Sequence, residues 1–188
     1  VNEELKEFYQ QAYTKKQDTN ALVMVGGDYN NYEPAKADYS DEIMANAKEY
    51  SDTALIVLTR NGGEGGDLPM DTAAYAGGAA GEHYLELNQN ERDMVAMVEE
   101  NFENVVVIIN SSNAMELGFI DDSSVDAALW IGGPGCEGCN SLGQILTGKV
   151  NPSGRLTDTY AYDLTCNPSY YNFGQFLFEN TDNKYSLI

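Results

Sequence analysis

The strongest constraint on the fold is a set of three short, almost continuous apolar runs of strand length. They span Thr53–Thr59, Val105–Asn110 and Val125–Ile131, and residues Leu87–Asn101 between the first two have a helical period. Continuous apolar strands separated by helices are typical of a parallel sheet that is covered on both faces. The sequence therefore predicts an α/β fold, a three-layer doubly wound sandwich with a mostly parallel sheet of about five or six strands.

Weaker patterns predict further elements around these runs. Ser40 is placed to cap a helix over Asp41–Tyr50, and Pro34 lies within an aromatic loop over Tyr29–Tyr39. We also expect helices over Asn2–Lys16 and Asn140–Leu146, a buried strand over Ala21–Val25 and a final edge strand over Arg155–Tyr160.

One sandwich domain is predicted over residues 1–166. Residues 167–188 are interpreted as a tail, or as the start of a connection to another domain. Ligands of doubly wound sheets bind at the carboxyl ends of the strands. The loops after Leu58, Ile109 and Ile131 are therefore the places to look for chemistry.

Charge excludes several classes of function. Thirty acidic residues against ten basic ones give a net charge of −20, which argues against nucleic acid and against anionic membrane surfaces as partners.

The single histidine argues against zinc sites of the two-His or three-His kind, and three cysteines are too few for a disulfide framework. No signal peptide opens the chain, and both a cytoplasmic and a secreted location stay open.

The connection from Arg60 to Glu86 is the first feature with chemical potential, because loops this long in compact domains are usually functional. Glu64 lies among four glycines near its start. Glycines allow an exposed, tightly held turn, on which a carboxylic acid would protonate a leaving group and later activate water. The alternative is a flexible acidic turn without function.

Two overlapping motifs lie between Gly133 and Cys139. The run G-P-G-C-E-G fits the dinucleotide fingerprint G-x-G-x-x-G after a strand and before a helix, although Pro134 lacks an N–H for phosphate binding; the alternative is a tight turn. Cys136 and Cys139 form a C-x-x-C, which is either a redox pair or two small residues at a helix–strand contact.

His83 is interpreted as a loop residue, with substrate contact as the alternative.

Several of these segments together resemble the α/β sandwich domain of glycoside hydrolase family 3. The resemblance covers about residues 50–162 and is carried by TALIVLTRNGGEGGD, HYLELNQNERDMV, NVVVIINSSNAMEL and VDAALWIGGPGCEGCNSLGQILTGKVNPSGRLTDTY. Its most specific parts are the G-E-G-x-D loop and the P-G-x-E-G block with L-x-G-x-x-N-P-S-G-R-L. They explain the dinucleotide match without a nucleotide.

The resemblance implies an exo-acting, retaining β-glycosidase, most often a β-glucosidase, that hydrolyses terminal β-D-glycosyl residues without a cofactor or a metal. Glu64 matches the family's acid/base and Asp67 matches the Asp that follows it, although Leu68 replaces the usual Arg. Asp67 and Arg60 are predicted to bind substrate, and a bacterial origin is expected.

The family's nucleophile is an Asp on a (β/α)8 barrel domain, and nothing in this chain resembles such a barrel, which needs roughly 250 residues. Compared with the family's sandwich domain, the chain also lacks the earliest strand, because it begins with a helix. We therefore interpret the chain as a fragment that is inactive when isolated. A stand-alone nucleotide- or sugar-binding α/β module is the alternative function, and a structural domain without catalysis is a third.

Overall fold

A computed structural model describes residues 1–14, 29–62, 68–121, 123–168 and 170. Its regular elements are α1 (Glu3–Thr14), α2 (Asp41–Tyr50), β1 (Thr53–Arg60), α3 (Gln89–Asn101), β2 (Asn104–Ser111), β3 (Ala127–Trp130) and α4 (Gly135–Leu146). Short 3₁₀ turns lie at Lys36–Asp38, Gly118–Ile120 and Leu164–Cys166. Within these ranges, no helix is both long and apolar enough to cross a membrane.

The described strands form one parallel sheet in the order β1-β2-β3. Val57 of β1 pairs with Ile108 of β2, which pairs in turn with Leu129 of β3. This parallel sheet with its helices confirms the predicted α/β sandwich. The described ranges contain three of the five or six expected strands, and the predicted strand Ala21–Val25 lies outside them.

The hydrophobic core lies on one face of this sheet. Alternate residues of the two long strands point into it, and α3 covers them with its apolar side. Its buried members include Ile56, Leu58, Val105, Val107, Ile109, Met94 and Val95. On the opposite face of β1, Leu55 and Val57 are half exposed, at 50% and 53%.

Side-chain caps explain where two helices begin. The Ser40 hydroxyl accepts the Ile43 N–H, so α2 has the predicted bounds. Asn88 accepts the Glu91 N–H while the Glu91 carboxylate accepts the Asn88 N–H, which is a complete capping box. α3 therefore begins at Gln89, two residues after the predicted start.

Two expectations near the C-terminal part differ from the structure. α4 begins at Gly135 rather than Asn140, so it takes in the glycine-rich motif. The predicted strand Arg155–Tyr160 is wrong, because these described residues form no ladder and are mostly exposed. The Asp158 carboxylate accepts the Thr159 N–H and the Arg155 guanidinium donates to the Ser153 and Gly154 carbonyls, and such local bonds compete with strand pairing.

Candidate active site

The carboxyl edge, which we define as the edge of the sheet where β1, β2 and β3 end, is formed by Arg60, Ser111 and Trp130. All three strands are parallel, so the loops that follow them leave on the same side. The Trp130 indole N–H donates to the Ser111 carbonyl at 2.7 Å and joins the ends of β2 and β3. Parallel α/β sheets bind ligands at this edge, which makes it the candidate site.

The two predicted carboxylates, Glu64 and Asp67, lie in the segment 63–67, outside the described residues. Gly62 and Leu68 are the described residues on either side of that segment. The predicted acid/base role of Glu64 and substrate contact of Asp67 therefore stay predictions.

Arg60 ends β1 and is a buried residue, only 4% exposed as a whole. Its Nη1 and Nη2 atoms donate to Glu91 Oε1 and Oε2, both at 2.7 Å, in a bidentate ion pair. The remaining N–H groups donate to backbone carbonyls, Nε to Tyr84 at 2.6 Å, Nη2 to Glu86 at 2.6 Å and Nη1 to Thr59 at 2.8 Å. All five donors of the guanidinium are thus used inside the domain.

Arg60 joins both ends of the long loop between β1 and α3. It stands at the loop's beginning, and it holds the carbonyls of Tyr84 and Glu86 at the loop's end. The Tyr84 hydroxyl accepts the Asn61 N–H at 2.8 Å, and burial raises the pKa of this phenol. Direct sugar binding by Arg60 stays a prediction, since the observed contacts are those of a structural clamp.

The second half of this loop is closely packed although its sequence has no period. The Tyr84 N–H donates to the Pro69 carbonyl at 3.0 Å, and the Thr72 N–H donates to the Glu82 carbonyl at 2.9 Å. A Cβ on Gly78 would lie 2.1 Å from the Thr72 carbonyl oxygen, so only glycine fits there. These bonds give the end of the loop a defined path toward α3.

His83 is a buried link between three segments. Its Nε2 lies 2.9 Å from Glu116 Oε1, and the Leu85 N–H donates to its Nδ1. The same Glu116 oxygen accepts the Leu164 N–H at 2.6 Å, and the Tyr170 ring packs edge-on against the imidazole. His83 therefore ties the loop after β1 to the loop after β2 and to the C-terminal segment.

One group of described residues has the composition of a metal site. Ligand atoms of His83, Glu86 and Glu116 all lie within 4.8 Å of one another. However, Leu85 donates to Nδ1, so a neutral ring carries its hydrogen on Nε2 and gives it to Glu116. No ring lone pair is left for an ion, and burial raises the pKa of the Glu86 carboxyl, which disfavours an anionic ligand.

The glycine-rich motif at the start of α4 has the contacts of a tight turn. A Cβ on Gly138 would lie 2.8 Å from the Pro134 Cβ, and Gly135 has a φ of +65° that favours glycine. Cys139 is an exposed free thiol, whereas the Cys136 side chain lies outside the description. The geometry favours the alternative that the sequence left open, a strand-to-helix turn.

Sequence reasoning missed three residues at this edge: Glu91, Tyr84 and Asn113. The first had a signal, because Asn88 and Glu91 have the spacing of a capping box. Asn113 had none: its Nδ2 is buried and has no hydrogen-bond partner, the single such side-chain atom in the described part of the chain. It lies against Gly62, at the beginning of the loop.

The sequence and the fold of this chain were also compared with those of known proteins. The sequence model of the Glycosyl hydrolase family 3 C-terminal domain matches residues 3–186. That match covers α1 to α4 and every loop of the carboxyl edge, including the segment that contains Glu64.

Individual proteins agree with the family match. The chain is 36% identical over 133 residues to a beta-glucosidase of Ruminococcus albus and 34% identical over 142 residues to beta-glucosidase A of Butyrivibrio fibrisolvens. These alignments cover 71% and 69% of this chain. The structure of a beta-glucosidase from Paenibacillus barengoltzii matches with a TM-score of 0.71 and 27% identity, over 93% of this chain.

This chain spans a small part of these longer proteins. It covers 13% of the Ruminococcus protein, 17% of the Butyrivibrio protein and 18% of the Paenibacillus chain. Most of each relative's length therefore has no counterpart in the sequence described above.

Proposed function

Because the chain belongs to the family of the Glycosyl hydrolase family 3 C-terminal domain, we propose that it is the acid/base-bearing domain of a retaining, exo-acting β-glycosidase. Its substrate would be a terminal β-D-glucoside or a β-linked oligosaccharide, in keeping with the names of its relatives. The observation that carries the proposal is the Arg60–Glu91 clamp, which holds both ends of the loop containing Glu64 at the carboxyl edge.

The reaction assigned to Glu64 has two proton transfers. Its carboxylic acid protonates the glycosidic oxygen as the bond to the sugar breaks, while an Asp nucleophile forms a covalent glycosyl intermediate. The resulting Glu64 carboxylate then takes a proton from water, whose oxygen attacks the sugar carbon and releases the nucleophile. Retaining enzymes place the two carboxyl groups about 5–5.5 Å apart, so the loop must be held accurately.

The nucleophile belongs, in this proposal, to a (β/α)8 barrel domain of the same longer polypeptide. The relatives have ample length for such a domain, since this chain covers 13–18% of them. The charge of a nearby nucleophile would raise the pKa of the Glu64 carboxyl, which keeps it protonated for the first step. The isolated chain lacks this partner, and we expect it to have no turnover.

The ion pair between Arg60 and Glu91, together with the bonds from Arg60 to the loop, explains how a loop without helical or strand periodicity would support catalysis. Reaction rates are sensitive to displacements of about 1 Å in a catalytic group, and sites on loops need support from buried contacts. Arg60 provides this support because its donors reach the loop's end and α3. We assign Arg60 a positioning role and keep Asp67 as the candidate for a sugar hydroxyl.

The test compares wild type with Glu64→Ala in the full-length polypeptide. Aryl β-glucosides with good and poor leaving groups are hydrolysed with and without azide. Loss of the acid should slow the poor leaving group by roughly 10²–10⁴-fold and the good one far less, and azide should restore turnover by forming a glycosyl azide. Glu49→Ala, at an exposed position of α2, is the matched control.

Wild-type rates of Glu64→Ala on both substrates would overturn the assignment of the acid/base. The family relationship would then describe the fold of the chain but not its chemistry.

A further inference from the structure

Two tyrosines form an exposed aromatic corner, which we define as Tyr13 of α1 and Tyr32 of the loop before α2. Their ring centroids lie 5.7 Å apart and their planes meet at 86°, an edge-to-face arrangement that aromatic rings favour. Tyr13 is still 50% exposed and Tyr32 is partly exposed. The corner therefore presents aromatic surface to the solvent.

The backbone of Tyr32 is strained. Its φ is +60°, and it is the one non-glycine residue with a positive φ in the described part of the chain. A bulky side chain is unusual in this left-handed region, which glycine enters freely. Strained residues of this kind cluster at binding and active sites, so the position of the Tyr32 ring beside Tyr13 calls for a functional reason.

Two asparagines hold the strained loop in place. Asn88 Nδ2 donates to Asn31 Oδ1 at 3.0 Å, and the Ala76 N–H donates to Asn30 Oδ1 at 3.1 Å. Asn88 is the cap of α3, and Ala76 belongs to the long loop between β1 and α3. The residues that directly precede Tyr32 are thus fixed to the loop that leaves the carboxyl edge.

The polar group of the corner is open to a ligand. The Tyr13 hydroxyl makes no hydrogen bond to the residues that the structure describes. A ligand for this surface needs an apolar face for the ring and hydroxyl groups at its margin for the phenol. A β-linked glucosyl unit has both, because its ring C–H bonds point above and below the ring and its hydroxyls surround it.

Charge also favours a neutral ligand. A net charge of −20 opposes the binding of anions. The carboxylate nearest in sequence to Tyr32 is Glu33, which already accepts the hydroxyls of Tyr9 and Tyr39. This carboxylate is therefore engaged within the chain, which argues against a basic peptide as the ligand.

We propose that the aromatic corner is a carbohydrate-binding site, on which the C–H face of one glucosyl unit of a β-linked glucan stacks. The site lies outside the acid/base machinery and goes beyond the proposed function, on which only the choice of a β-linked ligand rests. A longer glucan would be held at this surface while its end is hydrolysed elsewhere in the protein.

Affinity electrophoresis of the full-length polypeptide tests this site, in native gels that contain a soluble β-glucan. The method measures reversible binding and needs no turnover. Chain ends are rare in such a polymer, so binding at an exo-acting site contributes little. Wild type should be retarded increasingly as the β-glucan concentration rises.

Four variants separate stacking from other effects. Tyr13→Ala should weaken binding by roughly 3–10-fold, whereas Tyr13→Phe keeps the ring and should retain most of it. Tyr32→Gly removes the second ring and adopts the same φ without strain, so it should lose binding and still fold. Tyr50→Ala, at a position of α2 that is 58% exposed, is the control and should bind as wild type.

A merely structural role of the two rings would change the melting temperature without changing the retardation. The inference is overturned if β-glucan does not retard wild type, or if Tyr13→Ala and Tyr32→Gly are retarded as wild type is. Binding of a lysine-rich peptide in place of β-glucan would also overturn it.

Failure of this inference is distinct from failure of the proposed function. If Glu64→Ala shows azide rescue and the tyrosine variants keep wild-type retardation, only the carbohydrate site is wrong. If Glu64→Ala hydrolyses both aryl glucosides at wild-type rates while Tyr13→Ala loses its retardation, the acid/base assignment falls and the carbohydrate site stands.

Discussion

Arg60 and Glu91 face each other as two planar groups with both pairs of atoms in register. Nη1 lies 2.7 Å from Oε1 and Nη2 lies 2.7 Å from Oε2, in a site where the side chains are 1% and 4% exposed. The carboxylate also accepts the Asn88 N–H at the start of α3. One ion pair therefore joins the end of β1 to the beginning of the next helix.

We expect Arg60→Met to destabilise the chain by about 3–5 kcal/mol, because it leaves the Glu91 carboxylate buried without its partner. The double variant Arg60→Met with Glu91→Met should lose less unfolding free energy than the sum of the two single variants, because it leaves no buried charge without a partner. Urea unfolding of the purified chain measures these values. Lys6→Ala, which breaks the exposed pair with Glu3, is the control and should have little effect. Strict additivity of the two buried changes would contradict the clamp.

The caps of α2 and α3 should differ in strength although both use a small polar side chain. Ser40→Ala removes one exposed hydrogen bond and should cost about 1 kcal/mol. Asn88→Ala should cost about 2 kcal/mol or more, because its buried amide also donates to Asn31 and to the Ala76 carbonyl. Unfolding midpoints of the two variants give the comparison, and equal losses would argue that these extra bonds are without effect.

The Glu86 carboxyl should make the chain less stable as the pH rises through the weakly acidic range. Burial raises its pKa in the folded state, so its stabilising contribution is complete below the unfolded pKa and is lost as the pH passes the folded one. Glu86→Gln keeps an oxygen for the His83 N–H and should be more stable than wild type at pH 7, but not at pH 4. Urea unfolding at both values measures this.

Glu49→Gln removes one charge from an exposed position of α2 and is the control for net charge. A Glu86→Gln variant whose stability follows that of wild type at every pH would contradict a raised pKa at Glu86.

Tyr9 and Tyr39 should make the chain sensitive to alkali. Their hydroxyls lie 2.5 Å apart beside the Glu33 carboxylate, and burial of the hydroxyls, together with that negative charge, raises both pKa values. The folded state thus holds phenol protons that the unfolded chain loses near pH 10. Their contribution to stability is complete below that pH and declines above it.

Thermal unfolding of the purified chain between pH 8 and 11 provides the measurement. Replacing both tyrosines with phenylalanine should lower the melting temperature at pH 8 and flatten its decline above pH 10. Tyr13→Phe, at a position that is 50% exposed, should keep the wild-type slope. If the melting temperature of the double variant falls above pH 10 as steeply as that of wild type, groups other than Tyr9 and Tyr39 cause the sensitivity to alkali.

Local signals predicted much of the fold. Ser40 before Asp41 gave α2 its bounds, and the apolar run Val105–Asn110 marked β2 to within one residue at each end. The start of α4 was missed because glycine and proline at Gly133–Gly135 indicate a turn, and the helix begins inside that turn. The sequence pattern of Arg155–Tyr160 alternates as in an edge strand. In the structure, hydrogen bonds between residues adjacent in the chain set the conformation of this segment instead.

The candidate site was predicted only in part. The sequence shows which residue types are present, but it does not show which acceptors their hydrogen-bond donors contact in the fold. Arg60 next to a glycine-rich acidic loop has the pattern of a ligand-binding group, and nothing near it in the sequence shows that Glu91 lies opposite. Asn113 is separated from Gly62 by the whole of α3 and β2, so their contact depends on the parallel register of the sheet.

Because all five donors of the Arg60 guanidinium have acceptors inside the chain, Arg60 would need care in mutational libraries that test the proposed β-glycosidase function. A library selected for hydrolysis alone would score Arg60 as intolerant to every substitution, as it would a residue that touches the sugar. Selecting the same library for cellular abundance separates the two cases, since a side chain with five internal acceptors is depleted in both selections. A true sugar ligand is depleted in the first selection only.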